Sequence, residues 1–132
     1  METTREKIAA FLGSQRFAVI GASEDPAKFG HRVFAAYLRN GRTAYPVNPR
    51  GGLILGHAVY PDLASLPEPP EAVSIITPPA VTEEVMEDVI RSGARRVWMQ
   101  PGAESGAAIR KAEAAGLSVI AGGPCVLAEL PH

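Results

Sequence analysis

"VIGASEDPAKFGHRV", residues 19–33, passes from an apolar run through small and turn-forming residues into an amphipathic pattern. Its apolar part belongs to "RFAVIG" (16–21), a short run with turn signals after it, which predicts a buried strand. Val33, Phe34, Tyr37 and Leu38 then recur at helical spacing, and Asn40-Gly41 stops that helix. A strand, a tight turn and a helix in this order place free backbone N–H groups and the positive end of a helix dipole at one point. That point is a generic anion site. The stretch nevertheless lacks G-x-G-x-x-G, because the next glycine after Gly21 is Gly30. The turn alone does not choose a ligand.

The same alternation continues outward. Before the stretch, Thr3 and Glu6 have capping-box spacing, and Ile8, Phe11 and Leu12 form a short stripe ended by Gly13. This predicts an N-terminal helix within residues 1–14. After it, "TAYPVNP" (43–49) predicts a second strand, "AVSIIT" (72–77) a third, "RRVWMQ" (95–100) a fourth and "LSVIA" (117–121) a fifth. Val81, Val85, Met86, Val89 and Ile90 stripe a helix ended by Gly93, and residues 104–115 form an alanine-rich helix ended by Gly116. "LILGHAVYPDL" (53–63) is irregular, with room for one short strand, and "LPEPP" (66–70) is a proline-rich connector. Apolar strands alternating with helices predict a doubly wound, three-layer, Rossmann-like α/β domain. Its sheet is expected to hold about five mainly parallel strands, with right-handed crossovers. The expectation is a single domain over 1–132.

Composition narrows the function classes. The 132 residues are 46% hydrophobic and 20% charged, with a net charge of -1. Such a charge exerts no global pull toward nucleic acid or anionic lipid. The beginning of the chain carries charges of both signs and does not read as a signal peptide, and no run of about 18 apolar residues is available to span a bilayer. Cys125 is the single cysteine, so no internal disulfide forms, and a reducing, cytoplasmic compartment is expected. His31, His57 and His132 do not pair at metal-ligand spacing. Glu83, Glu84, Glu87 and Asp88 alternate with a valine stripe and read as a solvated helix face rather than an acid–base pair.

In doubly wound sheets ligands bind at the carboxyl ends of the strands. Those ends carry Gly21-Ala22-Ser23, then Asn48-Pro49-Arg50-Gly51, then Thr77-Pro78-Pro79, then Gln100-Pro101-Gly102. Turn geometry alone accounts for such residues at any one corner; four such corners together point to a site. Ser23 adds a hydroxyl, Lys28 a charge, and Gly30 a close approach of the helix. An NAD site would carry an acid at the end of the second strand, about 20 residues beyond the glycine turn. Asn48 and Arg50 occupy that region instead. A guanidinium there suits a phosphorylated ribose, which both NADP and coenzyme A possess.

The motifs "VIGAS-x-x-P-x-K-x-G" (19–30), "YPVNPR" (45–50), "GHAVYPDLASLP" (56–67), "ITPP" (76–79), "VWMQPGAES" (97–105) and "AGGPCV" (121–126) together resemble the small stand-alone CoA-binding domain proteins. They are similar also to the N-terminal domain of the succinyl-CoA synthetase α-subunit and of nucleotide-diphosphate-forming acyl-CoA synthetases. The resemblance runs from Phe17 to Val126. It implies coenzyme A as cofactor, with Gly21, Ala22 and Ser23 along the pyrophosphate, and Arg50 at the 3′-phosphate in a loop shaped by Asn48. Thr77 and Pro78 would border the adenosine or pantetheine path, and Gln100, Pro101 and Gly102 would lie further along the pantetheine. In many of these proteins Asp-Arg precedes the terminal cysteine, whereas here Gly123-Pro124 precede Cys125, so an arginine contact at that end is not implied.

The expected function is therefore binding of CoA or an acyl-CoA through the pyrophosphate and 3′-phosphate, without catalytic residues. The synthetase relatives need a phosphorylated histidine and further domains. Two alternatives stand beside it. One is an NADP-dependent oxidoreductase, for which no catalytic Tyr-Lys, His or Cys is evident. The other is an interaction module for an acyl-CoA enzyme, using the apolar tail "PCVLAELPH" (124–132). A homodimer or an enzyme partner is compatible with either. Cys125 reads as a small buried hydrophobe, with a mixed disulfide to CoA as its reactive alternative.

Overall fold

The computed structural model describes residues 2–130. His132 lies outside the described residues. Helix α1 (Thr4–Leu12) opens with the expected capping box: the Glu6 N–H donates to Thr3 Oγ1 at 3.1 Å, and the Thr3 N–H to Glu6 Oε1 at 3.0 Å. These bonds hold the Glu6 carboxyl below its ordinary pKa.

Five strands form one parallel sheet: β1 (Arg16–Ile20), β2 (Thr43–Val47), β5 (Ala72–Ile75), β6 (Arg96–Met99) and β7 (Ser118–Ile120), in the order β2-β1-β5-β6-β7. The central strand β5, "AVSI", is buried along its whole length, which is why it lacks polar alternation. Helices α2 (Phe29–Arg39) and α1, with α5 (Val126–Glu129), cover one face. There Phe11 lies edge-on to Trp98 with ring centroids 5.2 Å apart, and Phe17 stacks on Tyr37. Helices α3 (Pro79–Arg91) and α4 (Gly106–Ala114) cover the other, where Met86, Val89, Ala108 and Ala112 meet Ile75, Val97 and Met99. This is the expected three-layer α/β architecture. Among the described residues no helix is long and apolar enough to cross a membrane.

One polar pair sits inside the apolar face. The Tyr37 and Ser74 hydroxyls are 2.6 Å apart, and burial pushes the phenol pKa up.

Four local features differ from the sequence expectation. The irregular segment forms a hairpin of two short strands, β3 (Leu53–Ile54) and β4 (His57–Ala58), rather than one strand. Its turn uses positive φ at both Leu55 (51°) and Gly56 (81°), the geometry that two-residue hairpins require. Leucine is no signal for that turn, so the hairpin is hidden in the sequence. In α3 the buried first-turn residue is Thr82, whose Oγ1 lies 2.8 Å from Thr77 Oγ1, while Val81 is 36% exposed. Helix α4 begins at Gly106, not 104, because Ser105 caps it by accepting from the Ala108 N–H at 3.3 Å. The apolar tail becomes α5, with Val126, Leu127 and Leu130 buried, so these residues form core rather than a free docking face.

Candidate functional site

The strand order reverses between β1 and β5. The chain leaves β1 for α2 on one face and β5 for α3 on the other, so a crevice opens at their carboxyl ends. Its floor is backbone. Gly21 has φ +94°, and a Cβ built on it would stand 2.1 Å from the Ile76 carbonyl oxygen. A Cβ on Gly30 would stand 2.1 Å from the Gly21 carbonyl oxygen. Three chain segments therefore meet where a single methyl group does not fit, which brings the start of α2 down onto the β1 turn.

That start is open. Lys28 is the N-cap residue and makes no side-chain capping bond. The His31 and Arg32 N–H groups both donate to the Lys28 carbonyl at 3.2 Å. The N–H groups of Phe29 and Gly30 have no intrahelical acceptor by their position and stand beside the crevice. The turn is braced from behind: the His31 ring donates from Nδ1 to the Ser23 carbonyl at 3.0 Å, and Ser23 Oγ accepts from the Asp25 N–H at 3.1 Å. His31 thus positions the loop and fixes its own tautomer through that bond.

The second corner is tied to the first by Asn48. Its Nδ2 donates to the Ala22 carbonyl at 2.9 Å, and its Oδ1 accepts from the Arg50 N–H at 3.0 Å. One side chain so couples the loop after β2 to the loop after β1. Asn48→Ala removes both bonds and is expected to lower stability by about 1–2 kcal/mol. Urea unfolding measures this, and a loss below a few tenths would show that the two loops hold together without it.

The crevice has a volume of about 650 Å³, with Ser23, Lys28, Arg50, Thr77 and Val81 in its walls. It continues in two directions. Through Ser23, Lys28, Asn48 and Arg50 it joins a polar hollow of about 310 Å³ that reaches Gly51 and Ile54. Through Phe29, Ile76, Thr77 and Pro78 it joins a hollow of about 460 Å³ that reaches Pro101, Gly102 and Ala103. The result is one groove across the top of the sheet, polar at one end, where Lys28 and Arg50 stand with Glu24 and Asp25, and apolar at the other.

Eleven of the twelve residues expected from sequence, Gly21, Ala22, Ser23, Lys28, Gly30, Asn48, Arg50, Thr77, Pro78, Pro101 and Gly102, lie along this groove. Gln100 does not. It is 0% exposed, and its Oε1 accepts from the Val126 N–H at 2.9 Å. It anchors the C-terminal helix because its side chain points into the same layer as Trp98, two residues earlier on the strand. Phe29, Ile76 and Val81 also line the groove and were not expected there; Val81 was read as helix core.

Glu24 is a further lining residue that sequence reasoning missed. Its carboxylate packs over Gly52, with atoms 3.2 Å from where a Gly52 Cβ would stand, and it shares the polar hollow with Arg50 and Lys28. The acid absent from the end of β2 therefore arrives there from the β1–α2 loop. Asp25 is engaged in its own turn, accepting from the Ala27 N–H at 2.9 Å.

Elsewhere the acidic face of α3 is used in pairing: Glu83 accepts from Ser105 Oγ at 2.8 Å and Glu87 pairs with Lys111 at 3.2 Å. Cys125 is half-buried at the start of α5. Among the described residues no group of three His, Cys, Asp or Glu could hold a metal ion.

A family model described as "CoA binding domain" matches residues 15–131. The chain belongs to the CoA-binding domain family. Among curated proteins it is 32% identical over 71 residues to acetate–CoA ligase [ADP-forming] I of Archaeoglobus fulgidus, covering 54% of this chain and 10% of that protein. It is 30% identical over 88 residues to the α-subunit of acetate–CoA ligase [ADP-forming] II of Pyrococcus furiosus, covering 66% and 19%. The chain thus spans a tenth to a fifth of the length of these relatives. Among solved structures, a hypothetical protein from Pyrococcus horikoshii OT3 superposes with a TM-score of 0.90 at 31% identity, covering 97% of this chain and 89% of that one. The family likeness thus extends to a protein of nearly the same length.

Proposed function

We propose that this CoA-binding-domain protein binds coenzyme A or an acyl-CoA through its pyrophosphate and 3′-phosphate, and that it does so without a complete catalytic site of its own. The observation that carries this reading is the polarity of the groove. Its middle offers the glycine floor and the open start of α2, a donor-rich, positive environment for a pyrophosphate. Its polar end holds Arg50 and Lys28 for the 3′-phosphate. Its other end, past Thr77 and Pro78 to Pro101 and Gly102, suits the uncharged pantetheine arm. The fit is one of chemistry and order along the groove. The acetate–CoA ligase relatives support it, and in this reading the protein serves in the cytoplasm as a CoA carrier or as a partner of an acyl-CoA enzyme.

Glu24 sharpens the test, since a carboxylate beside Arg50 opposes a phosphate there. Calorimetric titration is expected to show CoA binding more tightly than dephospho-CoA. Arg50→Ala weakens CoA by about tenfold and dephospho-CoA by less than about twofold. Glu24→Gln tightens CoA by about twofold to fivefold, through removal of a partly exposed like charge. NADPH is the competitor that represents an oxidoreductase. Tighter binding of NADPH than of CoA, or no heat with CoA at all, would reject the reading.

A further inference from the structure

The far end of the groove has a chemical character that bears on what CoA carries. Phe29, Ile76, Pro78, Pro79, Pro101 and Ala103 line it, and no charged side chain does. It also lies at the start of a helix, α3, where an anion would ordinarily be welcome. This helix start keeps few free donors. Pro78 and Pro79 have no N–H, and the Val81 and Thr82 N–H groups both donate to the Pro78 carbonyl, at 2.9 and 3.0 Å. Ala80 alone of the first turn keeps a free N–H by position.

Carboxylates stand just beyond. Glu104 Oε1 accepts at 2.8 Å from the N–H of Gly102, which lines the hollow, and this ties the carboxylate to its edge. Glu83, on the second turn of α3, accepts from Ser105 Oγ at 2.8 Å. On α4 the Arg110 guanidinium lies over Gly106, the first residue of that helix, and both residues are exposed. An acyl group arriving here meets proline rings and a phenyl ring, with the Glu104 carboxylate at the Gly102 edge.

We infer that this end of the groove selects an uncharged aliphatic acyl group on CoA and disfavours a dicarboxylic one, with Glu104 as the specificity-determining residue at the mouth. The inference rests on the reading of the groove as a CoA site. Its physical basis is twofold. Buried methylenes gain hydrophobic free energy in an apolar hollow, and a terminal carboxylate would meet few donors, the Ala80 N–H and the Thr77 hydroxyl, beside a like charge.

Titration of the same protein with CoA, butyryl-CoA and succinyl-CoA tests it. Butyryl-CoA is expected to bind at least about threefold more tightly than CoA, a fraction of what full burial of three methylene-sized groups would give. Succinyl-CoA is expected to bind at least about fivefold more weakly than butyryl-CoA. Glu104→Gln keeps an acceptor for the Gly102 N–H and is expected to narrow that gap by about threefold, mainly through succinyl-CoA. If CoA binds and the three ligands differ by less than twofold, or if Glu104→Gln leaves the gap unchanged, the acyl selectivity is wrong while the CoA site stands. If CoA itself does not bind, the site reading falls, and this inference with it.

Discussion

Gly30→Ala lowers the melting temperature by at least about 10 °C and abolishes the proposed CoA binding: this is the expected result, because the new methyl group would stand 2.1 Å from the Gly21 carbonyl oxygen. Neither partner can move cheaply. Gly21 is itself pressed against Ile76, and Gly30 is buried in the first turn of α2. The helix must lift from the β1 turn, which opens the floor of the groove and misplaces the N–H groups that face it. Overpacking against backbone costs roughly 1–3 kcal/mol or more. Gly30 does not have positive φ, so crowding alone is at work. Gly41→Ala is the control: φ is +70° and nothing lies within 4 Å, so only the conformational cost of about 1 kcal/mol is expected. Thermal unfolding followed by circular dichroism compares the two. Equal, small shifts would show that α2 can ride up without loss.

Trp98→Ala is expected to be the more destructive change in the core, at about 3–5 kcal/mol. Trp98 is fully buried, lies edge-on to Phe11, and its Nε1 donates to the Pro124 carbonyl at 2.9 Å. It therefore joins three things: β6, the N-terminal helix and the segment that leads into α5. Against a total stability of about 5–15 kcal/mol, such a loss removes a fifth of it or more. Trp98→Phe separates packing from hydrogen bonding. It keeps a ring against Phe11, drops the bond to Pro124, and is expected to raise amide exchange in residues 124–130 more than elsewhere, since one of the two side-chain hydrogen bonds that tie this segment to Trp98 and Gln100 is then lost. Denaturant unfolding and hydrogen exchange read the two effects. A loss below 1 kcal/mol for Trp98→Ala would mean that the C-terminal helix and α1 do not depend on this side chain.

Much of the site was legible because strand ends announce themselves. Gly21, Asn48, Thr77 and Pro101 sit where an apolar run gives way to turn residues, and a doubly wound sheet gathers such ends on one edge. Gln100 stands in the same position and does not reach the groove, because the residue that follows a strand still points to one face or the other, and here that face is the buried layer holding Trp98 and α5. Val81 failed in the opposite direction. The valine stripe of α3 counted it as core, but the Thr77–Thr82 hydroxyl pair sets the first turn so that Thr82 is covered and Val81 looks into the groove.

By itself the sequence determined the layer architecture, the order of strands and helices, and which loops meet. These follow from periodicity, turn residues and the handedness of crossovers, all of which are local or nearly so. Only the tertiary structure decided what shares a corner. Glu24 is remote from Gly52 along the chain, yet its carboxylate sits over that glycine beside Arg50. The absence of an acid at the end of β2 was a true statement about the strand and an incomplete one about the site. Likewise the floor of the groove depends on Gly30 touching Gly21, and its far end on Pro78 consuming the donors of α3. Such contacts arise when packed elements bring distant residues within a few ångströms, and no spacing along the chain encodes that distance.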